Sequence, residues 1–412
     1  MGINAESVDP RTIKIYNNGG TMLPEPVGST RPTDLVENAI KIVGEEDGRF
    51  DDADYIIFYG RGTTVFEGNS QKVLSRRKNV YSDKNFYFIT SGGAAGKRMP
   101  SLANSSNAGV VRNYTDAIQY NDLDKLNLYG SGRLFVGDEL NQSVKKRSYP
   151  FELKNVVLGS TASIRYQVVN ASYDDVTMQL QEKDTTIASN VVFGLGRLAY
   201  TSGYLGAGAV NRKMWSEQSS VAVSIPTNIS NLKFYIDFLE VLYQKYLRPT
   251  NDQIVFYAPQ NDSTYEFRTE GFSAATSRIN VFDVSDYSNV AQIEGPLVGT
   301  PANSYYFKQQ GSPQRIKRFT AASLDALLTP VNGTKVENQN LRGIEQGAEM
   351  ILITRTDFLP EAERYKKYRE TQSPDKRTVE IFTTDKIYNE FSGGNLDITG
   401  MRDFVGYAYK NW

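Results

Sequence analysis

The sequence predicts a mainly β protein, made of antiparallel β-sandwich-type modules, that ends in a partial α/β segment of the parallel βαβα kind. Three observations predict this fold class. Aromatic residues make up 12% of the chain, with 26 Tyr against 2 Trp, and tyrosine favours pleated, half-buried surfaces. Short runs of alternating polar and apolar residues, separated by turn residues, recur along most of the chain. Beyond residue 345, strand-like and helix-like patterns alternate instead.

These patterns divide the 412 residues into three predicted domains. Residues 1–148 are expected to form a β-rich domain with a short helix, and residues 149–340 a β-sandwich-like domain. Residues 345–412 are expected to form the start of an α/β domain. Two parallel strands do not make a stable sheet by themselves, so we expect this last domain to be truncated.

Charge and composition exclude several classes of function. The 46 Lys and Arg residues nearly cancel the 47 Asp and Glu residues, so the chain has no overall field that would attract nucleic acid. No apolar run approaches the roughly 18 residues that suggest a membrane-spanning helix. The chain has no Cys and no His, and therefore neither a thiolate nucleophile nor an imidazole base. We predict no catalytic residue, no cofactor and no metal site in it.

The N-terminal third is expected to contain short strands, one short helix and a stretch that is either a helix or an irregular arm. Alternation predicts a strand at residues 12–16, and continuous apolar residues predict a buried strand at residues 55–59. Residues 33–43 have apolar side chains at helical spacing and predict a short amphipathic helix. Residues 86–89 predict a further strand, whereas the polar stretch 115–128 is interpreted as a helix or an irregular arm.

The middle of the chain carries the clearest strand patterns. Residues 163–168 and 176–180 alternate with period two and predict a hairpin of a β-sandwich. Residues 232–247 fit both a helix face and a long strand, and periodicity does not decide between them. Further strands at sandwich-like spacing are predicted at residues 254–257, 265–267 and 278–282.

The C-terminal segment has the pattern of a βαβα unit. Residues 350–354 and 378–382 are apolar strands, and a helix at residues 360–369 begins with a proline in its first turn. A second helix at residues 398–409 follows. Its inward face is predicted to consist of Ile398, Met401, Phe404, Val405 and Ala408.

Three charged stretches are interpreted as solvated turns and loops. The acidic run 45–54 lacks the spacing of a calcium-binding loop and favours a turn before a strand. The basic triplets 76–78 and 145–147 are isolated and balanced by acids elsewhere, which favours solvated loops over a nucleic-acid groove.

The C-terminal segment also carries a family motif. Residues 387–394, with the sequence Ile-Tyr-Asn-Glu-Phe-Ser-Gly-Gly, precede Asp397-Ile398 and the run 401–404, Met-Arg-Asp-Phe. This arrangement resembles the gingipain-type cysteine peptidase domain. We interpret Asn389, Glu390 and Ser392 as a structural cap of strand and helix rather than as substrate contacts.

The N-terminal blocks narrow this resemblance. They are similar, in order, to the β-rich region ahead of the catalytic domain in PorU-type sortases, and that resemblance favours a long strand at 232–247. The blocks that carry it are residues 9–16, 19–25, 44–48, 54–59 and 282–286.

The resemblance implies a role in protein secretion. PorU-type sortases are cell-surface components of the type IX secretion system of Bacteroidetes. They remove a C-terminal signal from exported cargo and can join the new C-terminus to an anionic lipopolysaccharide, by acyl transfer through a thioester. The implied partners are secreted cargo and other secretion components, and the implied location is the extracellular face of the outer membrane. The family's Cys and His follow later strands, so no catalytic residue is carried over to this sequence.

Three hypotheses follow. The first is an N-terminal part of such a sortase, catalytically silent by itself, whose β modules position the peptidase domain. The second is a cell-surface β-sandwich module for binding or adhesion, with the C-terminal unit merely structural. The third is a complete but degenerate pseudopeptidase.

Overall fold

The structure is a computed structural model. It describes residues 7–130, 132–197, 201–273, 278–295, 297–298, 304–330 and 333–412. Its architecture is mainly β with a small α/β segment at the C-terminal end, which confirms the predicted fold class. Among the described residues, no helix is both long and apolar enough to cross a bilayer.

The described chain contains 27 strands and three α-helices. The strands in the first part of the chain are β1 (Lys14–Tyr16), β2 (Glu37–Asn38), β3 (Lys41–Val43), β4 (Tyr55–Ile57), β5 (Thr64–Gly68), β6 (Leu74–Lys78), β7 (Phe88–Thr90), β8 (Ser101–Leu102), β9 (Val110–Arg112), β10 (Tyr114–Asp122), β11 (Glu139–Leu140), β12 (Lys146–Glu152), β13 (Thr161–Asn170) and β14 (Val176–Glu182). The strands that follow are β15 (Thr185–Val192), β16 (Tyr204–Lys213), β17 (Gln218–Ser224), β18 (Phe234–Tyr246), β19 (Gln253–Ala258), β20 (Thr264–Thr269), β21 (Ile279–Asp283), β22 (Ala291–Ile293), β23 (Leu297–Val298), β24 (Tyr305–Gln310), β25 (Lys317–Ser323), β26 (Met350–Thr354) and β27 (Val379–Thr383). The helices are α1 (Leu359–Thr371), α2 (Thr384–Phe391) and α3 (Ile398–Asn411).

The N-terminal region consists of small antiparallel sheets. Strand order is β2-β1-β7 in one sheet, and β3 pairs with β4 and β5 with β6. The helix predicted at residues 33–43 is wrong, because this stretch forms β2 and β3. Ile40 and Ile42 are buried on either side of the half-buried Lys41, which is the period-two pattern of a strand, and they pack against Ile13 and Ile15.

The first sandwich packs two antiparallel sheets face to face. One has the order β10-β18-β13-β16, with β11 pairing beside β10 on β18, and the other has the order β12-β17-β14-β15. Alternate residues of β13 and β14 are buried between the sheets. The centre of this core contains Ile164, Val168, Met178, Leu180, Val221, Val223, Phe234, Leu239 and Val241.

The hairpin predicted from residues 163–168 and 176–180 is wrong. The two strands lie in opposite sheets, β13 paired with β16 and β18, and β14 paired with β15 and β17. Asn170 fixes the crossing between the sheets: its buried side-chain amide donates to the carbonyls of Asp174, Val192 and Phe193 at 2.9–3.1 Å. A strand with one buried face has the same alternation in either arrangement, so the sequence pattern did not distinguish a hairpin from an arch.

Two long strands resolve the remaining ambiguities in this sandwich. Residues 234–246 form the 13-residue strand β18, as the resemblance favoured. The helix or irregular arm interpreted at 115–128 is wrong up to residue 122, because Tyr114–Asp122 is strand β10, paired with β18 over its full length. Residues 123–128 belong to no strand or helix. Backbone pairing rather than side-chain alternation defines β10, since its burial does not follow period two.

The second sandwich uses an aromatic core. Its sheets have the orders β19-β25-β21-β22-β8 and β23-β24-β20-β9, which confirms the strands predicted at 254–257, 265–267 and 278–282. Phe256, Phe267, Phe307 and Phe319 pack against one another with ring centroids 5.2–5.8 Å apart. Such tilted and offset aromatic contacts add to the free energy gained by burying the rings.

Strand pairing crosses the predicted domain boundary at residues 148/149. That boundary lies inside β12, and β10 and β11 share a sheet with β13 and β18. In addition, β8 and β9 pair in parallel with β22 and β20, so the second sandwich takes strands from both predicted domains.

The α/β segment confirms the predicted parallel pair. Strands β26 and β27 are in register from Met350 beside Val379 to Thr354 beside Thr383, with α1 between them in the chain. Helix α2, which no pattern predicted, separates β27 from α3. The inward face predicted for α3 is partly wrong: Phe404 and Ala408 are buried, whereas Ile398 and Val405 are about half exposed because they lie on a neighbouring stripe.

Candidate functional site

The family motif of residues 387–394 lies in α2 and the loop after it. Ile387 and Phe391 are buried in the core of the α/β segment. Glu390 is also buried, and its carboxylate accepts hydrogen bonds from the backbone N–H of Leu341, at 2.8 and 3.0 Å, and from Nε2 of Gln339 at 2.9 Å. The contacts of Glu390 therefore tie the linker before β26 to this helix.

The loop between α2 and α3 approaches the N-terminal region closely. Gly393 and Gly394 have φ angles of 63° and 85°, a conformation that glycine adopts at little cost. A Cβ atom on Gly394 would lie 3.0 Å from the Cβ of Phe86, and one on Gly393 would lie 3.1 Å from the Cβ of Asn18. The two glycines thus permit a near contact that most other residues would obstruct.

Asp397 is the centre of a polar junction between the α/β segment and the rest of the chain. Its side chain is buried, and Oδ1 accepts a hydrogen bond from the N–H of Thr399, which makes Asp397 the N-cap of α3. Its other oxygen, Oδ2, accepts from the backbone N–H of Leu23 at 2.8 Å. One carboxylate therefore both begins the helix and holds the N-terminal segment.

Arg133 completes this junction from the first sandwich. Its Nη2 donates to the carbonyl of Leu23 at 2.7 Å and to Oγ1 of Thr399 at 2.9 Å, and it lies 3.9 Å from Asp397. We call Leu23, Arg133, Asp397 and Thr399 the docking junction. It joins the N-terminal region, the first sandwich and the α/β segment through hydrogen bonds in a mostly buried setting.

A second set of contacts lies beside the docking junction. Arg31 pairs with Asp403, and both side chains are largely buried. Arg402 donates to the backbone carbonyls of Glu25 and Pro24. A cavity of about 340 Å³ opens next to these contacts, and its walls include Arg31, Ser392 and Asn395.

A buried charge cluster joins the β5–β6 hairpin to the first sandwich. Arg76 is paired with Asp122 at 2.5 Å and with Glu240 at 3.4 Å, and all three side chains are at most 7% exposed. Arg165 binds the other oxygen of Glu240 at 3.1 Å, and Lys78 binds Asp122 at 2.8 Å. The solvated loop predicted at 76–78 is therefore wrong, because β6 is a strand in which Arg76 and Lys78 have buried partners on β10 and β18.

Asp237 lies at the edge of this charge cluster. Burial, reinforced by the negative charge of Asp122, raises the pKa of Asp237 to about 6, although Gln167 donates a hydrogen bond to its carboxylate.

The other charged stretches have more ordinary surroundings. The loop predicted at 145–147 is wrong, since Lys146 and Arg147 belong to β12. In the acidic run, Glu45 is paired with Arg98 at 2.8 Å. In the part of the chain that the structure describes, no group of three or more acidic side chains is placed to hold a metal ion.

Sequence reasoning named no residue of the docking junction as a site. Leu23 and Asp397 are 374 positions apart, so no local pattern connects them. One signal was present: an Asp before an apolar-periodic helix is a typical N-cap. That signal could have marked Asp397 as the start of α3, but it carries no information about Leu23 or Arg133.

Comparisons with known proteins agree with this geometry. Residues 344–412 match the model of the peptidase family C25. The solved structure of dimeric latent PorU from Porphyromonas gingivalis aligns with a TM-score of 0.81 at 21% identity. The alignment covers 98% of this chain and 37% of that chain. No curated protein matches the sequence.

Other solved structures align over smaller parts of the chain. A family 35 carbohydrate-binding module from Clostridium thermocellum aligns with a TM-score of 0.20 and 11% identity, over 31% of this chain and 90% of that one. A match at that level supports no inference about function. The chain as a whole has the fold of about a third of PorU, and its α/β segment matches the start of a C25-type peptidase domain.

Proposed function

We propose that this chain is the non-catalytic N-terminal part of a type IX secretion sortase. In this proposal the parent enzyme cleaves the C-terminal signal of exported cargo and transfers the cargo to a surface anchor. The parent would act at the extracellular face of the outer membrane, with cargo and other secretion components as partners. The likeness in fold to PorU and the C25 match of residues 344–412 support it.

The docking junction carries the proposal for the role of the β modules. Asp397 follows the two glycines of the α2–α3 loop and caps the start of α3, and it also accepts a hydrogen bond from Leu23 of the N-terminal segment. Because Arg133 of the first sandwich reaches the same point, three regions of the chain fix the orientation of one helix. The β modules would therefore hold the first βα units of the peptidase domain in place.

The chemistry of the proposed parent must come from residues outside these 412. Cleavage and transfer through a thioester need a thiolate and a base, and this chain has no Cys and no His. Its own residues would orient and support the reacting domain rather than touch the substrate. The purified chain should accordingly cleave no cargo peptide.

Deletion of the gene in the source bacterium tests the proposal. Mass spectrometry of secreted and surface proteins should then find cargo that retains its C-terminal signal, and a wild-type copy should restore the shorter C-termini. Cargo with unchanged C-termini in the deletion strain would contradict the sortase assignment and favour a binding or pseudopeptidase role.

A complementation series tests the role of the junction. An Asp397→Ala copy should restore cleavage poorly, whereas an Asp375→Ala copy, altered at an exposed acid of the same segment, should restore it fully. Protein levels of both variants, measured by immunoblot, separate a positioning defect from loss of the protein. Full cleavage by the Asp397→Ala copy at normal protein level would contradict the positioning role.

A further inference from the structure

A cleft that contains none of the docking-junction residues lies between the β5–β6 hairpin, the loop after β4 and the second sandwich. It shares Arg61, Glu67 and Tyr287 with the cavity beside the junction. Its volume is about 530 Å³, within the range of roughly 300–1,000 Å³ that is usual for small-ligand sites. Its walls carry both aromatic rings and cationic side chains. They include Tyr59, Arg61, Tyr257, Tyr287, Arg315 and Arg318.

Arg318 has an unusual environment in this cleft. Its guanidinium carbon lies 5.6 Å from the ring centroid of Tyr59 and 5.9 Å from that of Tyr257, so it is in cation–π contact with both rings. Its Nε is buried without a hydrogen-bond partner. Among the described residues, the guanidinium has no ion-pair partner. Because Nε is enclosed by the protein, the donors that can reach an anion in the cleft are those of the terminal Nη groups.

Among the described residues, neither Asp283 nor Asp286 forms an ion pair with Arg318, although the charge of Asp286 interacts with Arg315. Asp283 is paired with Lys317 at 3.3 Å. Asp286 accepts hydrogen bonds from the backbone N–H and hydroxyl of Ser288 and from the side-chain amide of Asn289, at 2.8–3.0 Å.

The charge of the cleft walls is positive. The lining has four cationic side chains, Arg61, Lys72, Arg315 and Arg318, and one acidic one, Glu67, and the charge of Asp286 beside Arg315 offsets part of this excess. Glu67 is itself paired with Arg61. Nε of Arg61, like that of Arg318, is buried without a hydrogen-bond partner. Both Nε atoms are enclosed by the protein, so these two arginines contribute to the cleft through their charge and their terminal Nη groups.

The tyrosines add neutral hydroxyl groups to these cations. Burial raises the pKa of Tyr59 and of Tyr257 above the ordinary value, so both phenols stay protonated at neutral pH. Each hydroxyl can then donate a hydrogen bond, and each ring holds Arg318 in one orientation. A guanidinium fixed beforehand loses less conformational entropy when it binds.

We propose that this cleft binds a small ligand that carries an oxyanion, either a carboxylate or a phosphate, through Arg318. The guanidinium of Arg318 donates to the anion, while the rings of Tyr59 and Tyr257 keep that guanidinium in place. Arg61 and Arg315 supply further positive charge. This binding site lies outside the docking junction and does not depend on the proposed sortase role.

Isothermal titration calorimetry of the full 412-residue chain tests the proposal. Inorganic phosphate and citrate are titrated separately, with chloride as the reference at equal ionic strength. At least one oxyanion should bind with saturation while chloride does not, and the comparison of citrate with phosphate shows which kind of anion the cleft prefers. Absence of saturable binding for both oxyanions would overturn the proposal.

Two variants connect the binding to Arg318. Arg318→Gln should weaken binding of the preferred anion at least tenfold. Arg248→Gln is the matched control, because Arg248 also stacks on a tyrosine, Tyr246 at 5.3 Å, but lies at the surface beside Glu270. The control should bind within twofold of wild type. Equal binding by Arg318→Gln and wild type would overturn the proposal.

A stability measurement distinguishes a binding role of Arg318 from a structural one. Without ligand, Arg318→Gln should unfold close to the wild-type temperature, because the lost contacts with the rings of Tyr59 and Tyr257 offset the removal of a partly buried charge. With the preferred anion present, wild type should gain thermal stability and Arg318→Gln should not. Equal gains for both proteins would contradict the assignment of Arg318.

Discussion

The second sandwich and the docking junction are held together by different physics. In the sandwich, fully buried rings such as Phe256, Phe267 and Phe319 exclude water and contact one another. In the junction, Asp397 and Arg133 are bound through directed hydrogen bonds to backbone and hydroxyl groups. Apolar burial depends on area and tolerates small shifts, whereas a buried hydrogen bond is lost when its partner moves by about an ångström. The sandwich should therefore tolerate small shifts, whereas the junction should be sensitive to the loss of a single partner.

The largest effect is expected in the aromatic core. Phe267→Ala removes a fully buried ring that contacts three other phenylalanines, which should cost about 3–5 kcal/mol of stability. Hydrogen exchange of β20 and β25 during urea unfolding measures the loss in this sandwich. Tyr409→Ala, at a side chain that is 90% exposed, is the control and should change little. If both variants unfold alike, the core does not depend on these rings.

A smaller but still large effect is expected at the buried charge cluster. Arg76→Leu removes the partner that Asp122 and Glu240 share and leaves each buried carboxylate with one cation, Lys78 or Arg165, which should cost about 3 kcal/mol. The neighbouring Arg77 is 62% exposed and paired with Glu67 at 3.3 Å, so Arg77→Leu should cost less than about 0.5 kcal/mol.

Urea unfolding of the two arginine variants, followed by exchange of β6 and β10, provides the comparison. The pair is well matched, because adjacent positions on one strand differ in burial and partners rather than in chemistry. Similar costs for Arg76→Leu and Arg77→Leu would show that burial of the charge is unimportant there.

The second sandwich and the buried charge cluster show which features a sequence predicts and which it does not. The strands of the second sandwich were predictable, because residues such as Ile254 and Phe256 alternate with less buried neighbours. The burial of Arg76, in contrast, has no local pattern that would predict it. A run of Arg-Arg-Lys has the same appearance in a solvated loop and in a strand whose partners, Asp122 and Glu240, lie far away in sequence.

Topology was harder to predict than strand content. The alternation of β13 and β14 is visible in the sequence, but their placement in two facing sheets follows from pairing with strands farther along the chain. The three carbonyl acceptors of Asn170 stabilise the crossing between the sheets. The docking junction could not be predicted from the sequence either, because its residues come from distant parts of the chain, although the family motif beside it could be identified. Local periodicity specifies which face of an element is buried, and long-range partners specify what covers it.

A moderate and local effect is expected at the docking junction. Asp397→Ala removes both the N-cap of α3 and the acceptor for Leu23, which should cost about 2 kcal/mol. Because the loss is confined to one polar contact, hydrogen exchange should speed up in α3 while the strands of both sandwiches stay protected.

The exposed acid Asp375, paired with Arg377, provides the control for this variant. Asp375→Ala should leave the exchange of α3 close to wild type. Faster exchange throughout the sandwiches in Asp397→Ala would mean that the junction unfolds together with the sandwiches as one cooperative unit, rather than locally.

The smallest effect is expected at Asp237, where a substitution should stabilise the protein, unlike the three destabilising variants above, and should do so in a pH-dependent way. The pKa of Asp237 is raised to about 6, mainly by burial, so between pH 4 and 6 the folded protein keeps a proton that the unfolded chain has lost. Stability attributable to Asp237 therefore falls as pH rises through this range and stays reduced above it.

Asp237→Asn removes the charge and can still accept the hydrogen bond from Gln167. It should stabilise the protein at pH 7 by about 1 kcal/mol, after discounting for partial solvent exposure, and by much less at pH 4. Urea midpoints at the two pH values measure this difference, with the exposed Asp262→Asn as control. A gain that is equal at both pH values would show that the charge of Asp237 is not its cause.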